Sequence, residues 1–161
     1  MTQEHLDKYY IKVAQVCAKN SYAIKLKVGA IIVKDNQIIS DGFNGTPSGF
    51  ENKCEIIDCT TNFCHKGFNK VKLQCACCEK SKLSTKSYVL HAESNAILKC
   101  AKYGKSTKDS TLYITHAPCI DCAKLIIQAG IIRVVYLEDY KNSDGINLLK
   151  KVDIKVEKLD L

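Results

Sequence analysis

Two short motifs contain side chains that could together bind a metal ion and move protons. His91 and Glu93 form an H-x-E motif. Pro118, Cys119 and Cys122 belong to a P-C-x-x-C motif further along the chain. One imidazole and two thiolates make three protein ligands and leave the fourth position of a tetrahedral zinc site open to water, as catalysis requires. Glu93 projects from a helix in a different direction from His91, so we expect it to carry protons rather than bind the metal.

Each motif is predicted to lie at the start of a helix. Cys119 and Cys122 are three residues apart, so their sulfur atoms can point to one spot on the same helix face. The positive helix N-terminus lowers the pKa of thiols, and Pro118 suits a first turn that needs no backbone donor. A C-x-x-C pair alone could be a redox pair or half of a structural zinc site. The two motifs together, in this order, are specific for a catalytic zinc site.

The elements that must position these motifs alternate between strands and helices. Helical periodicity indicates helices at about 6–20, 91–104, 119–128 and 143–151. Apolar, β-branched runs indicate strands at 28–33, 37–40, 111–115, 133–137 and 152–156, the first two forming a hairpin. This order predicts an α/β sandwich with parallel later strands. Cys17, and Cys100 with Tyr103, are expected on buried helix faces.

Composition limits the class of protein. The 161 residues, 46% of them hydrophobic, fit one domain over 1–161. Neither a leader peptide nor a membrane segment is indicated, so we expect a cytoplasmic protein without a membrane partner. The net charge of +7 comes from scattered lysines, and Arg133 is the only arginine, so a nucleic-acid partner is not expected. Residues 41–50 have the composition of a loop, with three glycines and a proline.

Four segments of the chain resemble the deoxycytidylate (dCMP) deaminase family: residues 27–33, 42–49, 91–97 and 118–124. The H-x-E and P-C-x-x-C order is the signature of zinc nucleobase deaminases. The resemblance implies a cytidine-deaminase-like α/β fold, a three-layer sandwich in which helices flank a five-stranded mixed sheet. It also implies zinc-dependent hydrolysis of dCMP to dUMP and ammonia, which supplies dUMP for thymidylate synthesis in pyrimidine metabolism.

The resemblance further implies sites beyond the metal ligands. Substrate contacts are expected from Ser21, Lys25, Asn44, Ala92 and Tyr140. The segment Gly42, Phe43, Asn44 and Gly45, with Phe43 in place of the family's tyrosine, is expected to be an allosteric loop. Relatives imply activation by dCTP, inhibition by dTTP and a homo-oligomer, with a hexamer favoured.

Two further side chains stand beside these sites. Lys102, like Lys25, occupies a position where some relatives have arginine, and it is a candidate for an effector or subunit contact. His116, close before the P-C-x-x-C motif, is expected to be a hydrogen-bonded structural residue, although its place at a strand end could bring it beside the base pocket.

Residues 51–87 are predicted to form an irregular, cysteine-rich insertion. The soft ligands in it are Cys54, Cys59, Cys64, His65, Cys75, Cys77 and Cys78. Four of these seven residues could close a tetrahedral structural site, and a second Zn²⁺ would order a segment with few apolar residues. Reduced free thiols are the alternative.

Two other functions stay open at this point. The chain could be a zinc deaminase acting on another base, such as tRNA adenosine or guanine. It could also be a zinc-binding, nucleic-acid-associated module in which the cysteine-rich insertion does the work.

Overall fold

The computed structural model describes residues 2–58, 68–69, 74–75 and 82–161. Its helices are α1 (Gln3–Ala18), α2 (Ala92–Lys102), α3 (Ile120–Gln128) and α4 (Asp144–Lys150). Its strands are β1 (Gly29–Lys34), β2 (Gln37–Phe43), β3 (Glu55–Asp58), β4 (Phe68–Asn69), β5 (Gln74–Cys75), β6 (Lys82–Thr85), β7 (Thr111–His116), β8 (Arg133–Glu138) and β9 (Lys155–Lys158). No helix in these ranges is long and apolar enough to cross a membrane.

Five strands form one mixed sheet in the order β2-β1-β7-β8-β9. The pairs β1–β2 and β1–β7 are antiparallel, whereas β7–β8 and β8–β9 are parallel. The predicted hairpin is confirmed, because β1 and β2 are joined by Asp35 and Asn36, which both have positive φ angles, of 50° and 60°. The mixed sheet and the parallel later strands agree with the predicted fold class.

Alternating residues of the sheet face two separate cores. One core contains Ala30, Ile32 and Leu112 and packs against α2, α3 and α4. The other contains Ile31 and Tyr113 and packs against α1. One helix on one face and three on the other give the predicted three-layer sandwich. Cys100 is buried at 2% exposure as expected, and Cys17 is partly buried against the α1 core.

Tyr103 is 65% exposed, so its predicted place on the buried face of α2 is wrong. Helix α2 ends at Lys102, one residue before Tyr103. Tyr103 is the C-cap residue, and its φ of −104° is not helical. The following Gly104, at φ 66°, is the predicted helix stop.

Three element boundaries also differ from the sequence-based expectation. Helix α1 begins earlier, at Gln3, because the Thr2 hydroxyl caps it by accepting from the His5 amide. Strand β2 extends to Phe43, into the predicted loop, since its last three residues pair with β1. The last strand begins at Lys155 rather than 152, because the chain turns at Asp153, which has a φ of 60°.

The cysteine-rich insertion is not wholly irregular. Strands β3 and β6 pair antiparallel at its two ends, and β4 pairs with β5 between them. The prediction missed β3 and β6 because their pairing joins residues far apart in the sequence, which local hydrophobic periodicity does not report. It missed β4 and β5 because two residues are too few to show a period.

Arg133, the first residue of β8, links the sheet to α1 through an ion pair with Asp7. Its Nη1 and Nη2 donate to the two carboxylate oxygens of Asp7 at 2.8 and 2.7 Å, and its Nε donates to Glu157 at 2.6 Å. The Tyr113 hydroxyl donates to the same Asp7 carboxylate at 2.7 Å. The only arginine is therefore used in a bidentate structural ion pair, which a lysine could not make in the same way.

The Asp7 ion pair predicts a specific loss of stability in acid. Burial works against ionisation, but hydrogen bonds from Arg133, Tyr113 and Gln3 lower the pKa of Asp7 from 3.8 to about 2. Between these values the unfolded state binds more protons, so the stabilisation is complete above about pH 4 and is lost as pH falls towards 2. We expect Asp7→Asn to reduce the free energy of unfolding by about 2 kcal/mol at pH 7, with a smaller difference at pH 2.

Urea unfolding of wild type and variant at several pH values measures this difference. Glu4→Gln is the matched control, since Glu4 lies on the same helix but is exposed and pairs only with Lys8 in the described structure. A difference between wild type and Asp7→Asn that stays constant from pH 7 to pH 2 would contradict the assigned role.

Candidate active site

Three metal-ligating side chains meet at one point beside the sheet. His91 Nδ1 lies 3.3 Å from Cys122 Sγ and 3.5 Å from Cys119 Sγ, and the three ligand atoms all lie within 4.8 Å of one another. Zn–N and Zn–S bonds at a tetrahedral angle place N and S about 3.6 Å apart. The donor set and its spacing therefore fit one zinc ion. In the described part of the chain this is the only such cluster of ligands.

Both predicted helix starts are confirmed, and they explain why the ligands converge. His91 is the N-cap of α2, with φ −75° and ψ 159°, and Cys119 is the N-cap of α3, with φ −71° and ψ 169°. Cys122 follows in the first turn of α3, which brings its sulfur to the same side as Cys119. Neither cap side chain bonds its own helix, so both are available as ligands.

Close backbone contacts fix both helix starts. A Cβ on Gly42 would lie 2.3 Å from the Ala92 carbonyl oxygen, and one on Gly145 would lie 2.1 Å from the Pro118 carbonyl oxygen. Only glycine permits these approaches. Gly42, predicted as part of an allosteric loop, thus also has a packing role beneath α2.

Glu93 lies beside the cluster and is almost fully buried, at 3% exposure. Burial raises the pKa of its carboxyl group from 4.5 to about 7. It is also close enough to Cys122 to exchange a hydrogen bond with the thiol. A carboxyl group with a pKa near neutrality can both accept and return a proton, which is what a proton carrier needs.

The Cys119 thiol is suited to metal binding, whereas the pKa of its neighbour Cys122 is raised, chiefly by the hydrogen bond between the two side chains. Hydrogen bonds from Cys122 and then His91 lower the pKa of Cys119 to about 4. Cys119 is therefore a thiolate at neutral pH, and thiolates are the form that binds metals. The pKa of His91 is raised, chiefly by its hydrogen bond with Cys119.

A cavity opens directly onto the cluster. It is lined by Lys25, Leu26, Val28, Asn44, Glu55, Thr85, Val89, His91, Ala92, Glu93, His116, Ala117, Cys119 and Tyr140. Four of the five predicted substrate residues are among them. The exception is Ser21, which is 2% exposed and whose hydroxyl donates to the Asn44 carbonyl at 2.7 Å. Its contact with the cavity is thus through the loop that it supports.

Asn44 joins two segments of the cavity wall. Its Oδ1 accepts from the Val28 amide at 2.8 Å, and its Nδ2 donates to the Leu26 carbonyl at 2.8 Å. The adjacent residues are fastened too, since the Phe43 carbonyl accepts from Asn95 at 2.7 Å and Gly45 exchanges backbone bonds with Leu90. These hydrogen bonds hold the segment 42–45 between β1 and α2.

The same segment borders a second cavity on its other side. Gly42, Phe43 and Gly45 line this second cavity, whereas Asn44 lines the first. The remaining walls include aromatic rings and two ammonium groups: Tyr22, Phe50, Tyr103, Lys99 and Lys102. Aromatic faces and positive charge together suit a nucleotide.

Several cavity residues were not predicted from the sequence. Glu55 and Thr85 come from β3 and β6 and face each other in register. No local pattern identifies them, because the pairing of their strands places them there. His116 combines both of its expected roles, as it lines the cavity while its ring contacts Thr115 Oγ1 at 3.1 Å and Glu138 at 3.3 Å.

The predicted second metal site lies largely outside the described residues. Cys59, Cys64, His65, Cys77 and Cys78 fall there, and of Cys75 only the backbone in β5 is described. Cys54 is described, is 1% exposed and lines the second cavity. Burial raises the pKa of its thiol.

An H-x-E and a P-C-x-x-C motif that meet beside one cavity of this mixed sheet define a zinc nucleobase deaminase. The family model described as the cytidine and deoxycytidylate deaminase zinc-binding region matches residues 4–138, and the chain belongs to this family.

Individual relatives agree with this assignment. The chain is 34% identical to deoxycytidylate deaminase of Enterobacteria phage T4 over 166 residues, which cover 91% of this chain and 86% of the relative. It is also 34% identical to ComE operon protein 2 of Bacillus subtilis over 160 residues, covering 96% and 71%. A crystal structure of dCMP deaminase from cyanophage S-TIM5, in complex with dCMP and dUMP, superimposes with a TM-score of 0.79 at 36% identity, covering 99% of this chain and 100% of the other.

Proposed function

We propose that this protein is a zinc-dependent hydrolase that converts dCMP and water to dUMP and ammonia, and so supplies dUMP for thymidylate synthesis. The observation that carries the proposal is a cavity lined by Glu93 and by two of the three clustered ligands, His91 and Cys119. The same cavity is lined by the predicted substrate contacts Lys25, Asn44, Ala92 and Tyr140. The likeness to a dCMP deaminase along nearly the whole chain supports the choice of substrate.

The residues of the cavity divide the chemistry between them. A zinc ion bound by His91, Cys119 and Cys122 would activate water for attack on the base. Glu93 takes one proton from the water and delivers it to the ring nitrogen. It then takes the proton of the hydroxyl group that has been added to the base and delivers it to the amine, which leaves as ammonia while the carbonyl group forms. Its buried position, with a pKa of about 7, keeps both protonation states accessible.

Substrate binding is assigned to the cavity residues that do not belong to the metal cluster. We propose that the ammonium group of Lys25 meets the phosphate as a point charge and that Tyr140 covers the substrate. Asn44 holds the wall formed by Leu26 and Val28 and offers its remaining hydrogen-bonding capacity to the sugar. Ser21 supports Asn44 from beneath.

We assign the second cavity to effector nucleotides, dCTP as activator and dTTP as inhibitor. The support is geometric, since Phe43 and Gly45 line this cavity while the intervening Asn44 lines the substrate cavity. A shift of the segment 42–45 would therefore change the walls of both the substrate cavity and the second cavity. Lys102 is a candidate phosphate or subunit contact there. A homo-oligomer, with a hexamer favoured, would bury exposed apolar side chains such as Leu98.

The first test is ammonia release from dCMP, deoxycytidine, CMP and dCTP, with and without dCTP and dTTP as effectors. We expect dCMP to be preferred by kcat/KM, because deoxycytidine has no phosphate for Lys25, CMP has a ribose, and dCTP has two further phosphates to accommodate. dCTP should raise and dTTP should lower the rate at low dCMP. Equal activity on all four compounds, or activity on tRNA adenosine or guanine alone, would refute the proposed substrate.

Glu93→Gln tests the proton carrier. The variant keeps the size of the side chain but cannot accept the proton, so we expect kcat to fall by roughly 10²- to 10⁴-fold. Zinc content and melting temperature should match those of the wild type, because Glu93 is not a ligand. Turnover close to that of the wild type would show that another group moves the proton.

Elemental analysis tests a second, structural zinc ion, which we propose is bound by four of the seven insertion ligands. We expect about two zinc ions per chain, about one in a Cys75→Ser, Cys77→Ser, Cys78→Ser triple variant, and about one in Cys122→Ser. The triple variant should keep measurable activity, whereas Cys122→Ser should lose it. One zinc ion per chain in the intact protein would rule out the second site.

A further inference from the structure

A hairpin of the cysteine-rich insertion contributes to the wall of the substrate cavity. Glu55 of β3 and its cross-strand partner Thr85 of β6 both line the cavity that His91 and Cys119 also line. The insertion therefore reaches the place where the substrate is proposed to bind.

The Glu55 carboxylate holds the main chain that carries Lys25. Its Oε1 accepts from the Ile24 amide at 3.0 Å and from the Lys25 amide at 3.2 Å. The segment between α1 and β1 has neither helical nor strand structure at these residues, and its side chains are exposed. Bonds from a carboxylate to two consecutive amides are stronger than neutral ones, so they fix the local backbone.

The segment is also anchored on both sides of these two amides. Ser21 donates to the Asn44 carbonyl on one side, and Asn44 bonds Leu26 and Val28 on the other. Glu55 thus fixes the stretch that lies between two existing anchors. Within the described residues no ion pair forms with the Lys25 ammonium group, which is left available to a ligand.

The hairpin presents Glu55 from a fixed base. Cys54, next to it, is 1% exposed, and the Cys54 carbonyl accepts from the Lys86 amide at 2.9 Å. Leu83, in β6, is 7% exposed. A buried anchor at this end of the two paired strands leaves the Glu55 backbone little freedom to move.

We propose that Glu55 is a positioning residue, which fixes the Lys25 segment against the cavity and thereby links the cysteine-rich hairpin to substrate affinity. This role rests on the proposed function. Glu55 acts through Lys25 rather than through Glu93, so its loss affects binding of the phosphate and leaves the chemical step intact.

Steady-state kinetics with dCMP tests the role. We expect Glu55→Ala to raise KM about tenfold with kcat within about twofold of the wild type. Glu55→Gln keeps an acceptor oxygen and should recover most of the affinity. Glu51→Gln is the control, because Glu51 is exposed, lies four residues earlier and pairs with Lys53. In a Lys25→Ala background, Glu55→Ala should add little, since the two changes act on one contact.

An unchanged KM in Glu55→Ala, a fall in kcat alone, or full additivity with Lys25→Ala would overturn the proposal. If Glu55→Ala does not fold, Glu55→Asp shortens the carboxylate's reach, and the same criteria apply to it. Hydrogen exchange gives a readout that does not need activity: loss of Glu55 should speed exchange of the Ile24 and Lys25 amides. If the Ile24 and Lys25 amides exchange at the wild-type rate in the variant, the proposal is overturned. If the wild-type protein does not deaminate dCMP, the proposed function is refuted, which is a separate result.

Discussion

The site depends on close backbone packing at the starts of α2 and α3. Gly42 lets β2 approach the first turn of α2, and Gly145 lets α4 approach the Pro118 carbonyl oxygen that precedes α3. These contacts fix the positions of the N-cap residues His91 and Cys119, and so the directions in which their side chains point. A tetrahedral metal site accepts little error in ligand position, so the chemistry depends on this packing before it depends on any charge.

Burial then sets the protonation of the groups around the ligands. Glu93 is buried in the first turn of α2, and this burial raises the pKa of its carboxyl group to about 7, while hydrogen bonds lower the pKa of Cys119 to about 4. Near neutral pH Cys119 is therefore a thiolate, whereas Glu93 can be either protonated or ionised. The difference suits Cys119 to metal binding and Glu93 to proton transfer.

The walls of the substrate cavity come from segments that are distant in the chain. Asn44 ties β2 to the main chain of Leu26 and Val28, and Glu55 ties the cysteine-rich hairpin to Ile24 and Lys25. Both side chains bond main-chain groups, so each supports the shape of the cavity. The segment 42–45 lines both cavities, so a change in its position would alter the shape of each.

The sequence by itself predicted the three ligands, the candidate proton carrier and the hairpin from local spacing or a short turn, and the five-stranded mixed sheet from the resemblance to a known family. Motif spacing along one helix fixes which side chains share a face, and this holds wherever the helix packs. Only the tertiary structure decided that Ser21 lies beneath the cavity, that Arg133 fastens α1, and that Glu55 joins the cavity wall. These placements follow from contacts between residues far apart in the chain, which no local pattern encodes.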